Sequence, residues 1–215
     1  MDELELDTAP AAPPARARLP FGPVDIVFDD SVLVPRPWTL AQSAWARELL
    51  DSAAAGDVLE LCSGAGHIGL AAVHSTDRHL VQVDREPHAC ELARENAAAA
   101  GVDADVRCGP MTKVLRDDEQ FVLVIADPPW VPSAGVQVFP ADPVWAIDGG
   151  DDGLDVARDC VRVAAQHLEP EGFVVLQLGS VEQCAQVEDT VLECGLVTAE
   201  VRDLAGGALA LLRRR

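Results

Sequence analysis

Basic residues are scarce: 16 lysines and arginines stand against 36 acids, for a formal net charge of −20. A chain that gripped duplex nucleic acid through its phosphates would need a basic face. Only Arg16 with Arg18, and the run Arg213-Arg214-Arg215, form short basic clusters. Screening over about 8–10 Å leaves room for a local patch, but long-range repulsion argues against a nucleic-acid partner. A cationic or neutral small molecule, or a basic protein segment, fits better. Long apolar runs are also missing, and none approaches the roughly 18 to 20 residues of a membrane-spanning helix, so no membrane association is expected. The start is acidic (Asp2, Glu3, Glu5, Asp7) and lacks the basic and apolar stretches of a secretory signal. No C-x-x-C pair occurs among Cys62, Cys90, Cys108, Cys160, Cys184 and Cys194, which read as buried reduced thiols of a cytoplasmic protein. His74, His79, His88 and His167 show no ligand spacing with one another or with these thiols, so no metal is expected.

What is present is a core-forming chain. Hydrophobic residues make up 49% of 215 positions, enough for one domain with a sizeable core. Residues 1–20 are acidic and then Pro/Ala-rich, and are expected to be a disordered tail. Residues 21–215 form the single domain, with a hairpin and a helix covering its sheet over 21–55. Alternation at Val24, Ile26, Phe28, Val32 and Val34 around Asp29-Asp30-Ser31 predicts a hairpin or lid. Trp38, Ala41, Trp45 and Leu49 recur at helical spacing and predict a helix from Thr39 to Ala54. Strands are expected near 57–61, 79–84, 104–108, 121–126 and 172–178, with helices near 67–75, 87–100 and 152–168. That alternation is the pattern of an α/β, doubly wound, parallel sheet. Another helix, Val181 to Cys194, precedes strands at Leu196–Arg202 and Ala208–Leu212.

Two stretches carry chemistry. Asp57 to Leu61 reads as a buried strand, and Cys62-Ser63-Gly64-Ala65-Gly66-His67-Ile68-Gly69 is a G-x-G-x-x-G turn into a helix. Its glycines permit a tight turn and close approach of a ligand to the backbone. Asp84 ends the next strand and can accept ribose hydroxyls. The pattern alone also fits a dinucleotide. Glu60 tips the balance, since a carboxylate there repels a pyrophosphate but suits a sulfonium and an ammonium. The second stretch is Asp127-Pro128-Pro129-Trp130, after the strand Phe121–Ala126. Its prolines lack N–H donors, leaving carbonyls free to face a ligand. A carboxylate and free carbonyls beside a flat ring can grip N–H hydrogens while the nitrogen lone pair points outward, which is the geometry for methylating nitrogen. His67 is read as a solvated or capping group rather than a base. Asp148-Gly149-Gly150-Asp151-Asp152-Gly153 lacks the later ligands of a calcium loop and is read as a turn and cap starting a helix at Asp152.

These stretches resemble class I methyltransferases, and within them the HemK/PrmC family of release-factor glutamine N-methyltransferases. Val34-Pro35-Arg36-Pro37-Trp38-Thr39 is similar to the family's I-P-R-P-E-T entry. Glu60 through Gly66 matches its glycine motif, Asp84 its ribose acid, and Asp127 through Pro132 its N-P-P-Y-I-P. Asp142-Pro143 with Ala146 through Leu154 resembles E-P…A-L-x-G-G-x-D-G-L. Departures are Asp127 for Asn, Trp130 for Tyr, Trp38 for Glu, and Gly109-Pro110-Met111 where an adenine-contacting acid is often found. The family's N-terminal helical domain is expected to have no counterpart before Val32.

The resemblance implies a Rossmann-like seven-stranded sheet, mostly parallel, ending in an antiparallel hairpin. It implies S-adenosylmethionine as cofactor, contacted by Glu60, Cys62, Gly64, Gly66, Asp84, Arg85, Pro110, Met111 and Asp127. The catalytic ledge would be Asp127, Pro128, Pro129 and Trp130, and the substrate-side entry loop Arg36, Pro37, Trp38 and Thr39. The expected activity is N-methylation of an amide, amine or guanidine in a small molecule or protein. Two alternatives stay open: methylation of exocyclic amino groups in RNA or DNA, and a non-catalytic cofactor-binding partner protein.

Overall fold

Strands that are buried on both faces dominate the centre of the molecule, because an α/β sheet is covered on both sides by helices. A computed structural model describes residues 15–215; residues 1–14 of the expected tail lie outside it. The chain opens with a hairpin, β1 (Ala17–Phe21) and β2 (Val24–Phe28), paired antiparallel from Ala17↔Phe28 to Phe21↔Val24. The turn is therefore at Gly22 and Pro23, with Gly22 at φ +57°, and not at Asp29-Asp30-Ser31. Residues 17–20, expected in the tail, belong to the first strand. The Asp29 side chain is instead buried against His88 Nε2 (2.7 Å), which docks the segment onto a helix.

A 3-10 turn at Pro37–Thr39 leads into α1 (Leu40–Leu50). Then follow β3 (Val58–Leu61), α2 (His67–Val73), β4 (Leu80–Asp84), α3 (Pro87–Ala100), β5 (Ala104–Cys108), α4 (Met111–Val114) and β6 (Phe121–Ala126). After a 3-10 segment at Ser133–Val138 come α5 (Val144–Ile147), α6 (Asp155–His167), β7 (Leu168–Leu178), α7 (Val181–Gln186), α8 (Glu188–Glu193), β8 (Leu196–Leu204) and β9 (Gly207–Arg214). The seven-stranded sheet has the order β5-β4-β3-β6-β7-β9-β8. β9 runs antiparallel to both neighbours and the other pairings are parallel.

Side-chain alternation divides the core into two layers. Val58, Leu123 and Ile125 face α1, α2 and α3, packing with Trp45, Ile68 and Leu92. Leu59, Leu61 and Val124 face the other way, against Ala157 and Val161 of α6 and Val191 of α8. Several expected helices differ in their bounds: α1 ends at Leu50 rather than Ala54, and α2 ends at Val73 rather than at residue 75. The helix after the acidic stretch starts at Asp155 rather than Asp152, because Gly150 (φ +93°) and Gly153 (φ +80°) hold left-handed backbone that no α-helix accommodates. The helix expected over 181–194 breaks at Val187 into α7 and α8, which lets Cys184, Val187 and Val191 all reach the core.

Candidate active site

The strand order reverses between β3 and β6, and at such a point the loops leave the sheet in opposite directions and open a crevice. The register Leu61↔Ala126 sets Cys62 and Asp127 side by side as the first residues beyond the two strands. The loop after β3 needs left-handed backbone at Cys62 (φ +57°), Gly64 (φ +52°) and Gly66 (φ +83°). A Cβ on Gly66 would lie 2.5 Å from Gln82 Nε2, whereas one on Gly64 would meet open space. Gly66 is thus a packing requirement, and Gly64 leaves backbone bare on the crevice side. Asp84 crosses to this loop: its Oδ2 accepts from Gly64 N (2.7 Å) and its Oδ1 from Glu86 N (2.9 Å). Burial raises the Asp84 pKa, and those N–H groups oppose the shift.

Glu60 does not face the crevice. It is 2% exposed and turned beneath the loop, accepting from Gly69 N (2.9 Å) and Gln82 Nε2 (2.6 Å). Burial pushes its pKa up to about 7. Its visible work is to tie β3, β4 and the start of α2 together.

Two adjoining cavities fill the crevice. One, of about 240 Å³, is walled by Cys62, Ser63, Gly64, His67, Asp84, Arg85, Pro110, Met111 and Trp145. The other, of about 220 Å³, is walled by Arg36, Trp38, Thr39, Pro128, Trp130, Phe139, Asp142 and Gln177. Leu33, Asp127, Pro129 and Ala146 belong to both. Of the residues expected to contact a cofactor, all but Glu60 and Gly66 wall the first cavity, and those two pack on Gln82 instead. The second cavity gathers the entry-loop residues Arg36, Trp38 and Thr39 with the whole ledge; Pro37 only starts the turn that presents them.

The Asp127 carboxylate is the group on the shared wall. Among the described residues none donates a hydrogen bond to it, and burial pushes its pKa up to about 7. The ledge around it is held from several sides. Trp130 O accepts from Gln183 Nε2 (2.9 Å), and the Trp130 ring lies so close to Gly179 that a Cβ there would be 2.5 Å away. Val131 forms an isolated bridge with Asp148, through Val131 N to Ile147 O and Gly149 N to Val131 O, both 2.9 Å. The acidic Asp148-to-Gly153 stretch is thus a clamp on the ledge, and the Asp148 carboxylate is occupied by Ser133 Oγ (2.6 Å) and Gly150 N (3.0 Å).

Several wall residues lie outside the expected set. His67 is partly buried rather than a free surface group: its ring packs edge-on to Phe21 at 4.8 Å, Nε2 lies 3.4 Å from Thr39 Oγ1, and burial lowers its pKa to about 4. Its Nδ1 and the Ser63 Oγ are buried polar atoms without partners among the described residues. Arg36 Nη2 reaches Asp142, at 2.5 and 2.6 Å from the two carboxylate oxygens. Gln177, 3% exposed, comes from the end of β7. Gln42 lines neither cavity, but it had a legible signal, since it shares the buried face of α1 with Trp45 and Ala46 although it is polar.

Residues 43–141 match the family model described as the methyltransferase small domain. The chain is 32% identical over 200 residues to a ribosomal protein uL3 glutamine methyltransferase of Bradyrhizobium diazoefficiens, covering 83% of this chain and 60% of that protein. It is 34% identical over 195 residues to a release factor glutamine methyltransferase of Moorella thermoacetica, covering 86% of this chain and 68% of that protein. It spans about three fifths of the length of the first curated relatives it matches. Among solved structures, a ribosomal protein L11 methylase from Lactobacillus delbrueckii subsp. bulgaricus shares the fold. Its TM-score is 0.65 at 16% identity, over 87% of this chain and 83% of that one.

Proposed function

Because the chain belongs to the release-factor glutamine methyltransferase family, we propose that it is an N-methyltransferase that uses S-adenosylmethionine to modify an amide, amine or guanidine nitrogen of a protein or small molecule. The observation that carries this reading is the single carboxylate, Asp127, standing on the wall between two cavities. One cavity suits the methyl donor and the other the acceptor.

The residues of the first cavity fit the cofactor. Asp84 still has lone pairs free for a ribose diol beside its two N–H partners. Gly64 presents bare backbone, and Met111 with Pro110 offers an apolar face for a purine ring. The orphaned Ser63 Oγ and His67 Nδ1 suit the polar methionyl end. When bound, S-adenosylmethionine supplies an electrophilic methyl group on a positive sulfonium.

The chain's own work is mostly placement. Holding two reactants in line lowers a barrier by roughly 7–11 kcal/mol, more than acid–base help usually contributes. The Asp127 carboxylate and the Pro128 carbonyl accept the acceptor's N–H hydrogens and aim its lone pair at the first cavity. Pro128 and Pro129 have no N–H to compete for the acceptor, and Trp130 stacks beside it. Asp127 then receives the departing proton. Six free thiols support a reducing compartment, in keeping with the cytoplasm, and among the described residues no helix is long and apolar enough to cross a membrane.

Calorimetric titration with the cofactor, followed by mass spectrometry of a host extract incubated with methyl-labelled cofactor, tests the proposal. Saturable heat and a label on an acceptor nitrogen are expected. An absence of heat with the cofactor would sink it.

A further inference from the structure

The acceptor cavity is unusual in its charge. Three ionisable side chains line it, Arg36, Asp127 and Asp142. Arg36 and Asp142 neutralise each other across 106 residues of sequence, with side chains 31% and 13% exposed. Asp127 is left without a counter-charge and without a hydrogen-bond donor among the described residues. The remaining polar groups, Thr39 and Gln177, are neutral, and the Thr39 hydroxyl already donates to Arg36 O (2.8 Å).

The cavity is also unusual in its rings. The chain has only four tryptophans and five phenylalanines, yet Trp38, Trp130 and Phe139 all line this space. Trp38 and Phe139 are each 40% exposed and stand at its mouth. Arg36 already places a guanidinium 5.7 Å from the Trp38 ring centroid, which shows that this ring accepts a planar cation. Aromatic faces around an unpaired carboxylate attract an organic cation through the ring quadrupole and through Coulomb attraction together.

Resting on the methyltransferase reading above, we propose that the acceptor is a cationic nitrogen, an alkylammonium or alkylguanidinium, with Asp127 as the group that selects it. Asp127 pairs with the cation, removes one proton from it, and leaves a neutral nitrogen with a lone pair. The N–CH₃ bond forms as the S–CH₃ bond breaks. The sulfonium becomes a thioether, and the methylated nitrogen regains positive charge. The net release is one proton, which leaves through Asp127 to solvent. Burial holds the Asp127 carboxyl near a pKa of about 7 before any cation is present, so it is a stronger base than an exposed carboxylate.

The test is calorimetry on the full chain saturated with S-adenosylhomocysteine. The probes are butylguanidinium, butylammonium and the neutral pentanamide, each also presented as the arginine, lysine or glutamine side chain of one short peptide. Wild type is expected to bind a cation about tenfold or more tighter than the matched amide. Asp127→Asn should abolish that preference. Asp142→Asn, which frees the Arg36 charge, should weaken cation binding more than amide binding. Tighter binding of the peptides than of the free probes marks a protein source, and equal binding marks a small molecule. Equal or weaker binding of cations than amides, or no binding of any probe, overturns the inference. Heat from S-adenosylhomocysteine itself reads the methyltransferase proposal separately, so the two failures cannot be confused.

Discussion

The side-chain amide of Gln42 donates to the carbonyl of Ala126 at 2.9 Å, one peptide before Asp127, and the same nitrogen lies 3.0 Å from Val175 O. β6 and β7 are paired up to Ala126↔Leu176, and Gln42 of α1 props the place where their chains part. The height of the ledge above the sheet is therefore set from a helix 84 residues earlier.

Replacing Gln42 by Leu removes this prop and takes its donor from two buried carbonyls, at a cost of about 1–3 kcal/mol. The loss should appear as a lower midpoint in urea. Turnover should fall further than cofactor affinity, since the cofactor cavity does not include Gln42. Equal losses in both would show that Gln42 only supports the fold.

Asp127→Ala deletes the carboxylate common to both cavities. Turnover should drop by about 10² or more, the scale of losing a positioned proton acceptor. The dissociation constant for S-adenosylhomocysteine should shift by no more than a few-fold. A variant within a few-fold of wild-type rate removes Asp127 from the mechanism.

A pH profile gives an independent reading. Burial raises the Asp127 carboxyl to about 7, and only the ionised form accepts a proton. The rate should therefore rise with pH through a limb at or somewhat below 7, the bound sulfonium drawing it downward, and then level off. The same shift makes the folded state bind more protons than the unfolded chain between about 4 and 7. This group therefore lowers stability as pH rises through that window. Asp127→Asn should lose the rate limb and reduce the stability slope to the part that buried Glu60 supplies over the same window; an unchanged limb in the variant assigns it elsewhere.

Gly66→Ala forces an alanine to φ +83° with its Cβ 2.5 Å from Gln82 Nε2. The backbone term alone is roughly 1–2 kcal/mol. Chemical denaturation should show at least that loss, and cofactor affinity should fall with it. Gly64→Ala has the strained φ (+52°) but no clash, so its damage should fall mainly on cofactor binding. If the two variants were indistinguishable in stability, the packing role of Gly66 would be refuted.

Asp84→Ala removes the acceptor for Gly64 N and Glu86 N together. Cofactor affinity is expected to weaken by about tenfold to a hundredfold, the scale of losing charge-assisted hydrogen bonds, as read by calorimetry. Retained affinity would mean that the ribose is held elsewhere.

Much of the site was legible because its signals are local. The left-handed turns of Gly64 and Gly66, the free carbonyls of a double-proline ledge, and Asp84 at a strand end are properties of a few consecutive residues. Parallel pairing of two fully buried strands then brings the loops after β3 and β6 together. The hairpin turn is not legible in the same way, because Gly22-Pro23 and Asp29-Asp30-Ser31 are both good turn sequences; burial of Asp29 against His88 decides between them.

The sequence by itself determined the order of the elements, the glycine loop and the acidic ledge, since backbone preferences and apolar periodicity act between near neighbours. Only the tertiary structure decided that Glu60 turns away from the crevice into the Gly69 and Gln82 donors, that Arg36 is neutralised by Asp142, and that Gln42 supports Ala126. Such partners are tens of residues apart along the chain. Which polar group meets which is settled by where packed strands and helices leave a buried donor or acceptor unmet.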